Sequence, residues 1–420
     1  MKRRDFVKLA ATGMGLAGLG QGAMAKPSQR ILRKTPGKKL LVIFQRGGND
    51  ALNTLIPINP SQHSLYMNYR PTLGVPIANT LNTSHSDFGL HPSLASIHPI
   101  HQAGNMSFVH CVGYPGPDRS HFESESYYET AVPGNTLLEG WINRYLQNTT
   151  GDGGLIRAVA IGSTAPQSVM GLIPVPTSSN FGTLQVGDDS LSDGATPPGQ
   201  LQQILDQIHD LVPTAGNQSV YETGQAIFQM VESFSDRNLD DYVPANGATY
   251  PDTYFGERIK HAAQMLKEDP SPLNIEVATV DMNGYDTHAQ QNSDGGHADL
   301  MSELSDSLAA LYTDMGSQMN DLLVLVVTEF GRRVYENDSA GTDHGTGGVA
   351  MIMSNSASGQ VCLGSGWPGL EEHNLFYGDL DWRNDFRDIY WEILDSHMGL
   401  STSEIDAIIP GHIYTPLGII

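Results

Sequence analysis

Cysteine is nearly missing: the 420 residues contain two, Cys111 and Cys362. There is no CxxC pair, no haem-attachment motif and no dinucleotide-type GxGxxG, which removes thiol-redox, covalent-haem and Rossmann-cofactor readings. The two cysteines fit one disulfide in an oxidising compartment or simple burial on the apolar stretches that carry them. Basic residues are scarce as well, 23 Lys and Arg against 46 Asp and Glu, for a net charge of −23. Such a surface repels phosphate backbones and anionic lipid, so neither nucleic acid nor a membrane surface is an expected partner. It suits a domain that binds divalent cations, and it equally serves solubility. Long hydrophobic runs are absent apart from Leu9 to Gly20, which is too short and too diluted by Gly and Thr to span a bilayer.

That run belongs to a leader. Lys2, Arg3, Arg4 and Lys8 form a basic start, the uncharged stretch follows, and Ala23-Met24-Ala25 offers a small-residue cleavage site, so residues 1–25 read as a signal peptide. Arg3-Arg4-Asp5-Phe6-Val7-Lys8 resembles the twin-arginine signal. The expected partner is therefore the twin-arginine translocation machinery, which carries folded proteins; the location is periplasmic or otherwise exported, with no stable membrane anchor after cleavage.

Residues 26–420 remain, enough for one large α/β domain with insertions, which is the expected organisation, or for two smaller domains. Apolar runs of strand length alternate with helix-like segments, the pattern of a mostly parallel central sheet flanked by helices. Strands are predicted at Lys39–Gln45, Met106–Val112, Ile156–Ile161, Ile275–Val280, Leu322–Thr328 and Gly348–Met353. Helices are predicted at Pro92–Gln102, Ser120–Thr130, Leu138–Gln147, Gly199–Leu211, Ser219–Ser235, Asp252–Lys267, Ala298–Met319 and Asp385–Met398. About 163–268 read as a loop-rich, then helical, insertion or cap.

Ligands of open α/β sheets bind beyond the carboxyl ends of strands, and here those ends are polar. The first runs into Arg46-Gly47-Gly48-Asn49-Asp50, where Asp50 is a candidate metal ligand or a helix cap. The second leads to Asp118-Arg119-Ser120-His121. A helix starting at Ser120 would set its hydroxyl among unpaired amides, so Ser120 is either a nucleophile flanked by Arg119 and His121 or an N-cap in a capping box with Glu123. The fourth leads to Asp286 and His288, a carboxylate and an imidazole that suit zinc and allow manganese or iron, with His297 nearby as a weaker candidate. The fifth ends in Glu329, and a further loop delivers Asp343 and His344. Acids and imidazoles at four strand ends point to one metal-dependent site.

At these residues the chain resembles the family of proteins of unknown function known as DUF1501, exported proteins placed with the alkaline phosphatase and sulfatase superfamily. The runs RGGNDALNTLIP, YPGPDRSHFESESYYET, GYDTH, TEFGRR, GTDHG and NDFRDIYWEIL carry the resemblance. It implies an alkaline-phosphatase-like α/β fold and a divalent metal, zinc foremost, with manganese, magnesium, calcium or iron as alternatives. It also implies a small anionic ester substrate. By the same resemblance Asp50 is a first-strand metal carboxylate, Ser120 the nucleophile, and Asp286, His288 and His344 ligands of a second metal. Glu329 falls where an Asp-His pair is usual, and its neighbour Phe330 cannot ligate, which leaves one site short unless His121 is recruited or Asp343 takes the acid's place. Arg119 or Arg332 would steady the anion. The implied activity is metal-dependent hydrolysis of phosphate or sulfate esters; the alternative is a catalytically degenerate relative that binds a ligand or partner in the cell envelope.

Overall fold

The computed structural model describes residues 37–134, 137–151, 156–183, 231, 233–234, 237–267, 273–292 and 296–420. The predicted leader lies outside them, as do the predicted helix Gly199–Leu211 and most of Ser219–Ser235. The chain clusters into two units, one made of residues up to Thr177 and from Pro244 onward, the other Ser178–Val243. Within the smaller unit Phe181 and Phe234 pack with ring centroids 4.7 Å apart.

The larger unit is built on a nine-stranded sheet and also contains a small antiparallel sheet of Leu55–Pro57, Phe88–Leu90 and Leu81–Asn82. Eight of the nine strands are, in chain order, β1 (Lys39–Gln45), β2 (Met106–Gly113), β3 (Ala158–Ile161), β4 (Val277–Met282), β5 (Leu322–Thr328), β6 (Gly348–Met353), β7 (Val361–Cys362) and β8 (Asn384–Asp385). They lie in the order β7-β2-β6-β5-β1-β4-β3, with β8 beside β2. β1 is central and parallel to both β4 and β5, and β3 is parallel to β4. β6 runs antiparallel to β5 and β2. Every residue of β1 and β5 is buried. Side chains alternate between faces along a strand, so burial of both sets means that both faces are covered, as expected of KLLVIFQ and LLVLVVT.

The helices used below are α1 (Ala51–Thr54), α2 (Pro60–Tyr69), α3 (His121–Thr130), α4 (Trp141–Asn148), α5 (Tyr254–Leu266), α6 (His297–Met315) and α7 (Phe386–Glu392). α5 and α6 pack against each other. The predicted helix Pro92–Gln102 is two short pieces, Pro92–Leu94 and His98–Gln102. The segment predicted as Asp385–Met398 changes from α-helix to π-helix over Ile393–His397. No helix among the described residues is long and apolar enough to cross a membrane. Cys111 and Cys362 are both free thiols, Cys111 buried, so the disulfide alternative is not realised.

The topology decides where side chains can meet. β1, β2, β4 and β5 all point their carboxyl ends one way, while antiparallel β6 enters the sheet from that same end. Segments after β1, β2, β4 and β5 and the segment before β6 therefore converge on one crevice.

Candidate metal centre

Asp286 and His288 follow β4, His121 opens α3 after β2, and His344 precedes β6. Their tips meet. His344 Nε2 lies 3.0 Å from His121 Nε2 and 2.8 Å from His288 Nε2. Asp286 Oδ1 lies 3.0 Å from the Nε2 atoms of both His288 and His344 and 3.4 Å from that of His121.

The far side of each ring shows which proton each imidazole carries. His121 Nδ1 is 2.7 Å from Glu329 Oε1, His288 Nδ1 is 3.2 Å from Asp343 Oδ1, and His344 Nδ1 is 2.8 Å from the carbonyl oxygen of Arg119. Carboxylate and carbonyl oxygens only accept, so each Nδ1 donates. Each Nε2 of a neutral ring then holds a lone pair, and three lone pairs face one another and a carboxylate oxygen. Protonating all three would set N–H against N–H instead. A cation is the partner that satisfies the arrangement, and an Nδ1–H held by carboxylate or carbonyl is the usual support of a metal-bound histidine.

Electrostatics agree with this assignment at Asp286 and His344, whereas without a cation His121 is biased toward its protonated form. Burial pushes the Asp286 carboxyl up, but the Arg332 hydrogen bond and charge outweigh it, with help from His344 and His288, and hold it down at about 2. Burial, the Arg332 charge and the His121 charge lower His344 against the pull of the Arg119 carbonyl and Asp286, which keeps it neutral. The Glu329 hydrogen bond raises His121. The Asp286 side chain is 47% exposed, so the group opens to solvent.

His121, Asp286 and His344 each offer an atom within 4.8 Å of the others, and so do His121, Glu125 and Glu329. The second set is already satisfied. Glu329, wholly buried, accepts from Gly47 N–H at 2.8 Å, from His121 and from Thr328 Oγ1 at 3.2 Å. Glu125 is paired with Arg46 at 3.1 Å. Burial pushes the Glu125 carboxyl up to about 7, with Glu329 and Glu129 adding to the rise and Arg46 opposing it. The residues therefore fit one divalent ion held by His121, Asp286, His288 and His344, with Glu329 and Asp343 holding imidazoles.

Asp50 is placed elsewhere. Its Oδ2 accepts from buried Arg70 and from Gln291, both at 2.6 Å, and its Oδ1 caps α1 through the Asn53 N–H. Burial raises this carboxyl, but the Arg70 charge more than offsets it, and Asp50 titrates below the usual range. A carboxylate so committed serves as a buried ion-pair partner and helix cap. His297 is also apart: it bonds Asn49 at 2.8 Å, and burial drives it down to about 3.

Ser120 is the N-cap residue of α3, yet its side chain makes no cap and the expected box with Glu123 is not formed. The Ser120 N–H donates to Asp118 at 2.6 Å instead. Because His344 rests on the Arg119 carbonyl, the peptide joining Arg119 to Ser120 lies against the histidines.

The arginines are tied down. Arg119 bonds Asp379, wholly buried, at 2.6 Å, and Arg333 reaches the other Asp379 oxygen at 3.3 Å. Arg332 is 1% exposed, and its guanidinium is spent on Asp286 and on the carbonyls of Gly47, Gly48, Tyr285 and Thr342, so it cannot steady a substrate anion. Arg387 clasps Asp385, its own helix cap.

Phe330 is buried, with its ring 4.9 Å from His121 and 5.0 Å from His344. It forms a wall, and Gly48 is needed opposite because a Cβ there would stand 2.5 Å from the ring. Gly47, at φ +116°, allows the β1 turn to approach the β4 loop: a Cβ would lie 2.3 Å from the Asp286 nitrogen. Missed by sequence reading were Arg70 and Gln291, whose partners are far away in the chain.

Among solved structures the chain is similar to the C-terminal periplasmic domain of EcEptC from Escherichia coli in complex with Zn, at 12% identity over 93% of this chain and 92% of that one, with a TM-score of 0.39. It is also similar to alkaline phosphatase from the Antarctic bacterium TAB5, at 12% identity over 78% and 95%, TM-score 0.29. A third is the phosphonate monoester hydrolase of Agrobacterium radiobacter, at 11% identity over 90% and 78%, TM-score 0.29. No curated protein matches. Residues 231–356, which include the GYDTH, TEFGRR and GTDHG runs, match the family described as protein of unknown function (DUF1501), the family that the motifs resemble.

Proposed function

We propose that this protein is an exported, metal-dependent hydrolase of phosphate or sulfate esters with Ser120 as its nucleophile. The observation that carries the reading is the convergence of three Nε2 lone pairs on Asp286 Oδ1, each ring locked by an oxygen acceptor behind it. Imidazole nitrogens with one carboxylate oxygen suit zinc best among common divalent ions, and manganese or iron next. Such an ion, when bound, lowers the pKa of a nearby hydroxyl or water and neutralises charge on an ester oxygen.

The remaining work falls to the chain. Ser120 sits at the start of a ten-residue helix with its hydroxyl free of capping duty, and first-turn amides favour negative charge there. Its Oγ loses its proton and bonds to phosphorus or sulfur, while the ester oxygen departs and leaves protonated as the alcohol. Water then cleaves the seryl ester, returning the serine hydroxyl and releasing phosphate or sulfate. Glu329 and Asp343 keep His121 and His288 in the required tautomer. The twin-arginine pattern of residues 1–25 supports export in the folded, metal-loaded state.

Elemental analysis of the purified protein and a panel of aryl phosphates and sulfates test the proposal. One equivalent of a divalent metal is expected. Ser120→Ala should lose roughly a thousandfold or more in turnover while keeping its metal, and His344→Ala should lose both. A metal-free protein that stays inert after zinc, manganese, magnesium or calcium is added sinks the hydrolase. Phe330, which fills the space beside the rings with a group that cannot ligate, favours one alternative: a single-ion relative that binds a ligand or partner in the envelope. For that reading Ser120→Ala leaves the biological role intact.

A further inference from the structure

The loop after β4 lines a second concavity. A cavity of about 110 Å³ opens at the carboxyl ends of β3 and β4, walled by Ile161, Gly162, Ser163, Arg258, Asp281 and Asn283. Asn283 stands three residues before Asp286, so one loop serves both places.

Arg258, on α5, is 7% exposed. Its Nη1 donates to the carbonyl oxygen of Asp281 at 3.0 Å, its Nη2 donates to the Tyr254 hydroxyl, and its carbon rests 3.9 Å over the Tyr254 ring. These partners are neutral. Nε has no acceptor, and among the described residues no carboxylate pairs with this guanidinium. The one acid on the wall, Asp281, faces away to Arg46 at 3.0 Å, a guanidinium it shares with Glu125 and Glu129. The cavity thus holds a nearly buried cation whose own hydrogen-bond partners are all neutral and which no carboxylate pairs directly among the described residues, an arrangement that is costly unless an anion completes it. A guanidinium edge matches carboxylate, sulfate and phosphate oxygens.

We propose that this cavity receives an anionic oxygen group, carried by the substrate at a distance from the ester bond that is cleaved. The substrate assignment rests on the hydrolase reading above; the anion pocket stands without it. Gly162 faces the guanidinium, and a Cβ there meets nothing nearer than 3.6 Å, from Arg258 Nη2. A larger side chain at 162 therefore fits the backbone and projects against Arg258.

Calorimetric titration of inorganic sulfate into the full-length protein is the direct test. Affinity is expected to fall at least about tenfold in Arg258→Gln and in Gly162→Leu, and to persist in His344→Ala. Gly162→Leu keeps the arginine and answers for a fold weakened by its loss. Sulfate binding absent from the wild type, unchanged in both cavity variants, or lost only in His344→Ala overturns the pocket. In a second arm, kcat/KM is compared for phenyl phosphate and 4-carboxyphenyl phosphate. About a tenfold preference for the carboxylated ester, abolished in Arg258→Gln, is expected. Equal use of the two esters by the wild type overturns the substrate assignment. Turnover of neither overturns the hydrolase reading alone, because the sulfate titration still decides the pocket.

Discussion

Glu329 directly follows β5, apolar up to its last residue Thr328, is shielded from solvent, and spends its oxygens on a backbone N–H, the Thr328 hydroxyl and His121 Nδ1. Its place in the sequence reads as that of a metal ligand, whereas its contacts make it a support for one. The two roles separate experimentally. Glu329→Gln keeps the size but removes the charge, and its amide can turn an NH2 toward His121, which frees the wrong tautomer. Metal affinity is expected to fall between about tenfold and a hundredfold with the metal-to-protein ratio at saturation unchanged. Loss of stoichiometry at saturating zinc would instead mark Glu329 as a ligand. Asp50 shows the same ambiguity with the same outcome: Asp after a glycine turn is the mark of a helix cap and of a ligand alike, and only distant Arg70 and Gln291 decide. Sequence adjacency made Asp286, His288 and His344 legible. His121 was harder, because its ring function depends on Glu329, 208 positions away.

At the scale of elements, two loops supply most of the metal group, and one buried side chain spans them. Gln291 Oε1 accepts from Thr287 Oγ1 at 3.1 Å and from Thr342 Oγ1 at 2.8 Å, while its Nε2 donates to Asp50. Thr287 lies between Asp286 and His288; Thr342 precedes Asp343 and His344. Gln291→Ala should loosen the register of both loops, lowering metal affinity by about tenfold or more and stability by about 1–3 kcal/mol through the unsatisfied hydroxyls. Lost stability with unaltered metal affinity would reduce Gln291 to a packing residue. The β-rich runs KLLVIFQ and LLVLVVT are strands as their composition demands, since no amphipathic alternative exists for a segment buried on both sides. The reversed direction of β6 is invisible in its own residues and follows from which neighbours it joins. α2 went unread because it has no apolar stripe: Tyr66 is its one buried residue. The final helix, Thr402–Ile408, carried a readable signal in its Ser401–Glu404 capping box.

For the whole molecule, the acid limb of stability is set by histidines outside the metal group. Burial drives His91, His110, His261 and His397 down to about 4 and His297 to about 3, against about 6.5 in an unfolded chain. Above pH 6.5 both states are neutral and these rings contribute no pH dependence. As pH falls below that value the unfolded chain takes up protons that the folded one refuses, so stability declines until the folded values near 4 are reached. Three carboxyls work in the other direction over part of this interval: burial lifts Glu125 to about 7, Asp379 to about 6, and Glu129 above its usual value, so the folded state holds their protons. Five rings against three acids leave net proton uptake on unfolding, amounting to roughly several kcal/mol between pH 6.5 and 4.5. Metal release would add its own loss at low pH, so His344→Ala is the protein to use. Its thermal midpoint should fall steadily as pH is lowered from 6.5 to 4.5, whereas a flat profile would mean that the interior protonates these rings without unfolding.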